Sequence, residues 1–139
     1  MSAEQNKALA LQQFAEWDQQ GYTSTGPLVS PDFVAHLPGS PSPLNLEGYK
    51  QYTAPFDEGF PGLKHTIEYQ VAEGDKVVTR VIWRATHTGN FQGIPPTGKQ
   101  TTMTGVAIMR IANGKIAEFW GEFDALGLLQ QLDAIPTPG

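Results

Sequence analysis

Apolar and polar positions alternate along most of the second half of the chain. Residues 76–89 (KVVTRVIWRATHTG), 99–112 (KQTTMTGVAIMRIA) and 115–124 (KIAEFWGEFD) read as three successive strands. Asn113-Gly114 joins the last two, and both residues tolerate the positive φ that a tight hairpin turn demands. Between Val106 and Ile111 only Arg110 interrupts an apolar run, which predicts a strand covered on both faces. Upstream, Leu63–Ala72 alternates too. His65, Ile67, Tyr69 and Val71 share one face and Lys64, Thr66, Glu68 and Gln70 the other, as in a strand with one wet side. Gly74-Asp75 supplies a two-residue turn from that strand into the next.

Nearer the N-terminus the period lengthens. Ala10, Leu11, Phe14 and Trp17 recur at helical spacing, Ser2 and Gln5 stand as in a capping box, and Gly21 sits where a helix ends. This predicts a helix over Ala3–Gln20. A short helical turn and a brief strand at Phe33–His36 are expected next, then a proline-rich loop over Leu37–Asn45. Asn45 caps a second predicted helix with apolar positions Leu46, Tyr49, Phe56 and Phe60, which Pro55 is expected to kink or break. Gly89–Lys99 is a long Gly/Pro loop, a length commonly tied to function. Leu126, Leu128, Leu129 and Leu132 predict a short apolar helix, and the final Ile135–Gly139 is expected to fray. Helices followed by a four-stranded antiparallel meander make an α+β fold, one domain over residues 1–139. A curved sheet folded over helices leaves a concavity of the kind that holds small molecules.

Composition narrows the chemistry. The net charge of −5, with no basic patch, speaks against nucleic acid as a partner. With no cysteine, the chain lacks disulfides, thiolate metal sites and thiol nucleophiles. No apolar run approaches the roughly 20 residues of a membrane span, and no basic leader precedes an apolar segment. A cytoplasmic protein with no membrane association is expected. The three histidines, His36, His65 and His87, lack metal-ligand spacing, so no metal site is expected. Imidazole titrates near neutral pH, which makes His36 and His87 candidates for moving a proton; His65 is expected to be a structural, hydrogen-bonded residue.

The segments HTGNFQGIPPTGK (87–99), IMRIANGKIAEFW (108–120) and DALGLLQQL (124–132) resemble the SnoaL-like polyketide cyclases of the nuclear transport factor 2-like fold. That resemblance implies a cone, in which a curved antiparallel sheet is wrapped by N-terminal helices around an apolar cavity. It also implies a homodimer paired through the sheet, and aldol ring closure without metal or organic cofactor. The family places an acid/base aspartate three residues before the aspartate of D-x-x-G-L-L, which here is Gly121. A family histidine three residues before Arg110 falls on Ala107. If these positions point inward, strand alternation turns Phe119 and Phe123 inward with Gly121, and Met103 and Gly105 with Ala107. Trp83 joins them on the parity of His87, while Phe14 and Trp17 of the first helix read as core residues that can also line the pocket.

The expected ligand-binding set is therefore Phe14, Trp17, Trp83, Met103, Ala107, Phe119, Gly121 and Phe123. The small residues either leave room for a bulky, flat apolar ligand or let their neighbours close the space. Candidate catalytic residues are His36, His87, Glu122 if a bulge turns it inward, and Asp124, whose default role is to cap the last helix. The resulting expectation is cofactor-free acid/base chemistry, an aldol-type cyclisation or isomerisation, on an apolar carbonyl-containing molecule. The alternatives are a non-catalytic binding protein for a hydrophobic small molecule, or a hydrolase of epoxide or ester type on the same fold.

Overall fold

Capping, turns and alternation place most elements of the computed structural model, which describes residues 2–135; the tail expected to fray lies outside them from Pro136 onward. Helix α1 (Ala3–Gln20) begins with a complete capping box between Ser2 and Gln5 and ends at Gly21, whose φ is +86°. Strand β1 (Val29–His36) leads to helix α2 (Leu46–Gly59), capped by the Asn45 side chain. Strands β2 (Lys64–Glu73), β3 (Lys76–Thr86), β4 (Gln100–Ala112) and β5 (Lys115–Phe123) follow, then helix α3 (Ala125–Gln131). Asn113 and Gly114 adopt φ of 53° and 73°, as their hairpin requires.

Three expectations change. The sheet has five strands, in the order β1-β5-β4-β3-β2, because β1 is a full strand running parallel beside β5. Pro31 is tolerated there because β1 is an edge strand and its ladder is interrupted between Val29 and Val34. Helix α2 continues unbroken through Pro55. Proline inside a helix costs about 3 kcal/mol. Burial of Tyr49, Thr53 and Phe56 on the inner face of α2 opposes that cost. The third change is in β2, where Glu68 is an extra residue between the pairs Ile67↔Val81 and Tyr69↔Arg80. This bulge reverses the alternation. Tyr69 and Val71 become exposed, at 60% and 58%, while Gln70 turns inward and donates to buried Thr79. A second bulge, at Ala117 of β5, adds to the curvature of the sheet.

Helix α1 packs on β2 and β3, α2 lies against β1, and α3 covers part of β4. Two apolar clusters result. One gathers Phe14, Trp17, Phe33, Tyr49 and Phe119; the other gathers Phe56, Phe60, Trp83, Phe91 and Leu128. Phe60 is fully buried, and truncating such a ring costs about 3–5 kcal/mol. The loop after β3 is fastened to α2 by a close backbone approach. A Cβ on Gly89 would lie 1.9 Å from the Glu58 carbonyl oxygen, and the Thr88 and Gly89 amides both donate to Gly59. Among the described residues no helix is long and apolar enough to cross a membrane.

Candidate functional site

Between the two clusters lies a pocket of about 90 Å³. All eight residues of the expected ligand-binding set line it, Phe14 and Trp17 from α1 and the other six from β3, β4 and β5, where alternation had turned them inward. The room left by the small residues is largely filled. A Cβ on Gly121 would meet Leu37 at 3.0 Å and the Phe119 ring at 3.1 Å; one on Gly105 would meet the Glu122 carbonyl oxygen at 3.1 Å. Neighbours have closed around these positions, the second of the two alternatives that the small residues left open.

The polar groups that reach this pocket are not the expected ones. Asp18 stands in the last turn of α1, where a carboxylate opposes the helix dipole. Its Oδ1 accepts from the His65 backbone amide at 3.0 Å and lies 2.6 Å from His65 Nδ1. On the other side of the imidazole, Nε2 is 2.5 Å from the Tyr22 hydroxyl. A carboxylate at Nδ1 fixes the tautomer: Nδ1–H donates to Asp18, and the bare Nε2 accepts from Tyr22 O–H. Phe14, Trp17 and Tyr22 pack their rings around the imidazole, whose side chain is only 2% exposed. Tyr22 and His65 both line the pocket.

Tyr22 is held from a second direction. The Asp57 carboxylate, in the last turn of α2, accepts from the Tyr22 amide, the Thr23 amide and the Thr23 hydroxyl, each at 2.9 Å. Gly21 makes that clamp possible, since a Cβ there would lie 3.0 Å from Asp57 Oδ2. Burial pushes the Tyr22 hydroxyl well above its ordinary pKa, and the charges of Asp18 and Asp57 add to the rise. The Trp83 indole N–H faces the same hydroxyl and opposes the rise slightly, without reaching normal hydrogen-bond geometry. Tyr49 is also raised by burial, and its hydroxyl has no hydrogen-bond partner among the described residues. The indole N–H groups of Trp17 and Trp83 are likewise buried without an acceptor among the described residues. Tyr49, Trp17 and Trp83 all line the pocket, so its wall carries spare donors.

The four expected catalytic residues lie elsewhere or at the rim. His36 is on the outer face of the sheet, stacked on Trp120 at 5.0 Å, with Nε2 2.6 Å from Glu118. Glu118 also accepts from Arg110 at 3.1 Å. His87 is fully buried against Phe60, and its Nδ1 accepts from the Thr97 amide, which ties the two ends of the 87–99 loop together. Neither histidine lines the pocket. Asp124 caps α3, accepting from the Gly127 amide at 2.9 Å. Glu122 pairs in register with Val106, so no bulge turns it inward; exposed at the pocket's rim, it helps raise Tyr52 after burial does. The missed residues had a signal: an inward-facing histidine needs a partner, and aspartates in the last turns of two helices run against the dipole.

A curved five-stranded sheet closed by helices over such a pocket defines the class of nuclear transport factor 2-like α+β cones. The sequence model of the SnoaL-like polyketide cyclases matches residues 8–132, and the chain belongs to that family. Among solved structures it is similar to AclR, a proposed hydroxylase of Streptomyces galilaeus, with 28% identity, a TM-score of 0.89, and coverage of 99% of this chain and 87% of that one. A proposed polyketide cyclase from Acidithiobacillus ferrooxidans has 30% identity and a TM-score of 0.81, covering 98% and 100%. A proposed SnoaL-like cyclase from Jannaschia sp. CCS1 has 26% identity and a TM-score of 0.83, covering 96% and 95%. No curated protein matches the chain.

Proposed function

We propose that this chain catalyses proton transfer next to a carbonyl, as in aldol-type cyclisation or isomerisation of an apolar small molecule, with His65 as the base. The observation that carries this reading is the Asp18–His65–Tyr22 line ending in an otherwise apolar pocket. A substrate α-proton passes to the Tyr22 oxygen while the Tyr22 proton passes to His65 Nε2. An enolate and an imidazolium result, and the imidazolium faces the Asp18 carboxylate. Tyr22 is a phenol at rest, so it gives its own proton to His65 Nε2 as it takes the one from carbon. The spare donors of Tyr49 and Trp83 suit the enolate oxygen, each relieving a buried unpaired group worth about 1–3 kcal/mol. Return of the proton along the same line, to carbon or to a new alkoxide, completes an isomerisation or an aldol closure. These steps use only the chain's own groups.

The acid/base function absent at Gly121 is thereby supplied from α1 and β2, which favours this reading over a purely binding role. The test is the exchange of the C1 protons of 2-tetralone in deuterium oxide, followed by NMR. Wild type should accelerate exchange over buffer, and His65→Gln should lose about 10²–10⁴ of the rate while keeping a cooperative melt. Exchange at the buffer rate with wild type, or an unimpaired His65→Gln, would remove the proposal.

We also infer that the outer face of the sheet pairs with a second copy of the chain. Val78, Ile82, Val106, Ile108 and Trp120 are only half-buried there, beside exposed Val71. Light scattering should give a dimer that Ile108→Glu converts to monomer; a monomeric wild type refutes it.

A further inference from the structure

Behind the His65 imidazole the chain forms a second hollow, a groove of about 330 Å³ whose lining includes Asp18, Gln19, Thr23, Asp57 and Pro61. Groove and inner pocket share one residue, Trp17, a buried ring that serves as the partition. Tyr22 and His65 line the pocket and not the groove; Asp18 lines the groove and not the pocket. The Asp18–His65–Tyr22 line therefore runs from one hollow to the other. Its two ends differ in contact with water, since the Asp18 side chain is 23% exposed and that of His65 only 2%. Both His65 groups bind Asp18 through Oδ1, and neither engages Oδ2.

The charge of the groove is as distinct as its position. The last turns of α1 and α2 both border it, each with the partial negative charge of a helix C-terminus and neither holding a basic residue. The Asp18 and Asp57 carboxylates add to that field. Lys64, whose Nζ donates to the Asp18 carbonyl at 2.8 Å, offsets one of them. The balance is negative, which favours protons and disfavours anions there. The inner pocket is walled mainly by apolar and aromatic side chains, so substrate and protons have different natural entrances.

We propose that this groove is the proton port of the reaction, through which Asp18 exchanges protons between the buried relay and solvent while the substrate occupies the inner pocket. This rests on the reading of Asp18, His65 and Tyr22 as the relay. When Tyr22 passes its proton to His65 Nε2, Nδ1 releases its own to the Asp18 carboxylate. The carboxyl then gives that proton to water or a buffer base in the groove. Imidazole and carboxylate regain their resting charges, with the imidazole proton now on Nε2. Reprotonation of the substrate runs the same hops backwards and draws one proton from the groove. A buried imidazolium, costly in such surroundings, need not last as long as the enolate.

The test follows the His65 Nδ1–H in protein labelled with nitrogen-15 histidine, by magnetisation transfer from water and without substrate. Exchange is compared in imidazole and phosphate buffers matched in pH, ionic strength and concentration of the base form. The groove repels the phosphate dianion and admits neutral imidazole. At low salt imidazole should therefore speed exchange at least about threefold more than phosphate, and added sodium chloride should shrink the difference. Gln19 is exposed and lines the groove, so Gln19→Trp narrows the port without touching the relay. It should slow the imidazole-driven exchange severalfold, whereas Gln19→Ala should leave it within twofold of wild type. Equal catalysis by the two buffers at low salt, or exchange unchanged by Gln19→Trp, overturns the port. Nothing here needs turnover. A failure of 2-tetralone exchange with the buffer pattern intact would count against the proposed reaction and leave the port standing.

Discussion

Two histidine–carboxylate pairs with the same 2.6 Å separation sit on opposite faces of one sheet. His36 and Glu118 lie on the outer face, 32% and 22% exposed, beside Arg110. His65, 2% exposed, is enclosed by aromatic rings, and its second nitrogen reaches a tyrosine. In the single chain water competes with the first pair, so there it is worth at most about 1 kcal/mol. The second pair works where charge is costly to create, so its carboxylate matters most when the imidazole becomes cationic. Separation alone does not distinguish the pairs. Surroundings, and what the free nitrogen faces, do.

The largest expected effect is on the inner pair. Asp18→Asn keeps an acceptor for Nδ1–H but removes the charge facing the imidazolium, and should slow 2-tetralone exchange about 10²-fold; an unchanged rate would detach Asp18 from the chemistry. Tyr22→Phe removes the group that takes the α-proton and should reduce exchange at least as much, and it leaves the buried His65 Nε2 unpaired at a cost of about 1–3 kcal/mol in stability. A second effect separates the faces by alkali. Tyr22 and Tyr49 are both raised above the ordinary 10.0. Above about pH 10 the unfolded chain loses phenolic protons that the folded chain keeps, so stability falls as pH rises. Urea midpoints should drop between about pH 9 and 11, and less steeply in a Tyr22→Phe, Tyr49→Phe double variant.

On the outer face, His36→Gln should leave exchange within twofold of wild type and cost no more than about 1 kcal/mol in urea unfolding. A large loss of exchange would return His36 to the site. The smallest effect belongs to Glu118. The His36 hydrogen bond, helped by Arg110, holds its carboxyl below the ordinary 4.5. Its contribution is therefore present above that value and fades as pH falls through the lowered one. Glu118→Gln should flatten the acid side of the stability profile only slightly.

Much of the fold was legible because it is local. The Ser2–Gln5 capping box, the Asn113-Gly114 hairpin and the inward parity of β3, β4 and β5 depend on residues a few positions apart, and alternation carried Met103, Ala107, Phe119 and Gly121 to the pocket. What escaped is long-range or one residue deep. No local pattern announces that Val29 pairs in parallel with Ile116, and one bulged residue, Glu68, inverted the faces of Tyr69 and Val71. The candidate site escaped for the first reason. Asp18 and Tyr22 flank a helix end, and His65 lies on a strand far along the chain. His36 and His87 were attractive as isolated titratable residues, but the structure uses one on the outer face and the other to tie a loop.

The parallel pairing of β1 with β5 also bears on how the chain folds. The β2–β3, β3–β4 and β4–β5 contacts join consecutive strands, whereas β1 must wait for a partner made almost ninety positions later, about the slowest kind of closure to search for. The hairpins should therefore order first and β1 dock late, bringing with it Leu37 and the segment leading into α2. The pulse-labelled amide of Ile116, which donates to the Leu28 carbonyl at 2.8 Å, should gain protection after that of Met109; simultaneous protection would contradict this order. On that timetable the inner pocket is the last part of the molecule to exist, and a newly made chain holds most of its sheet before that hollow has closed.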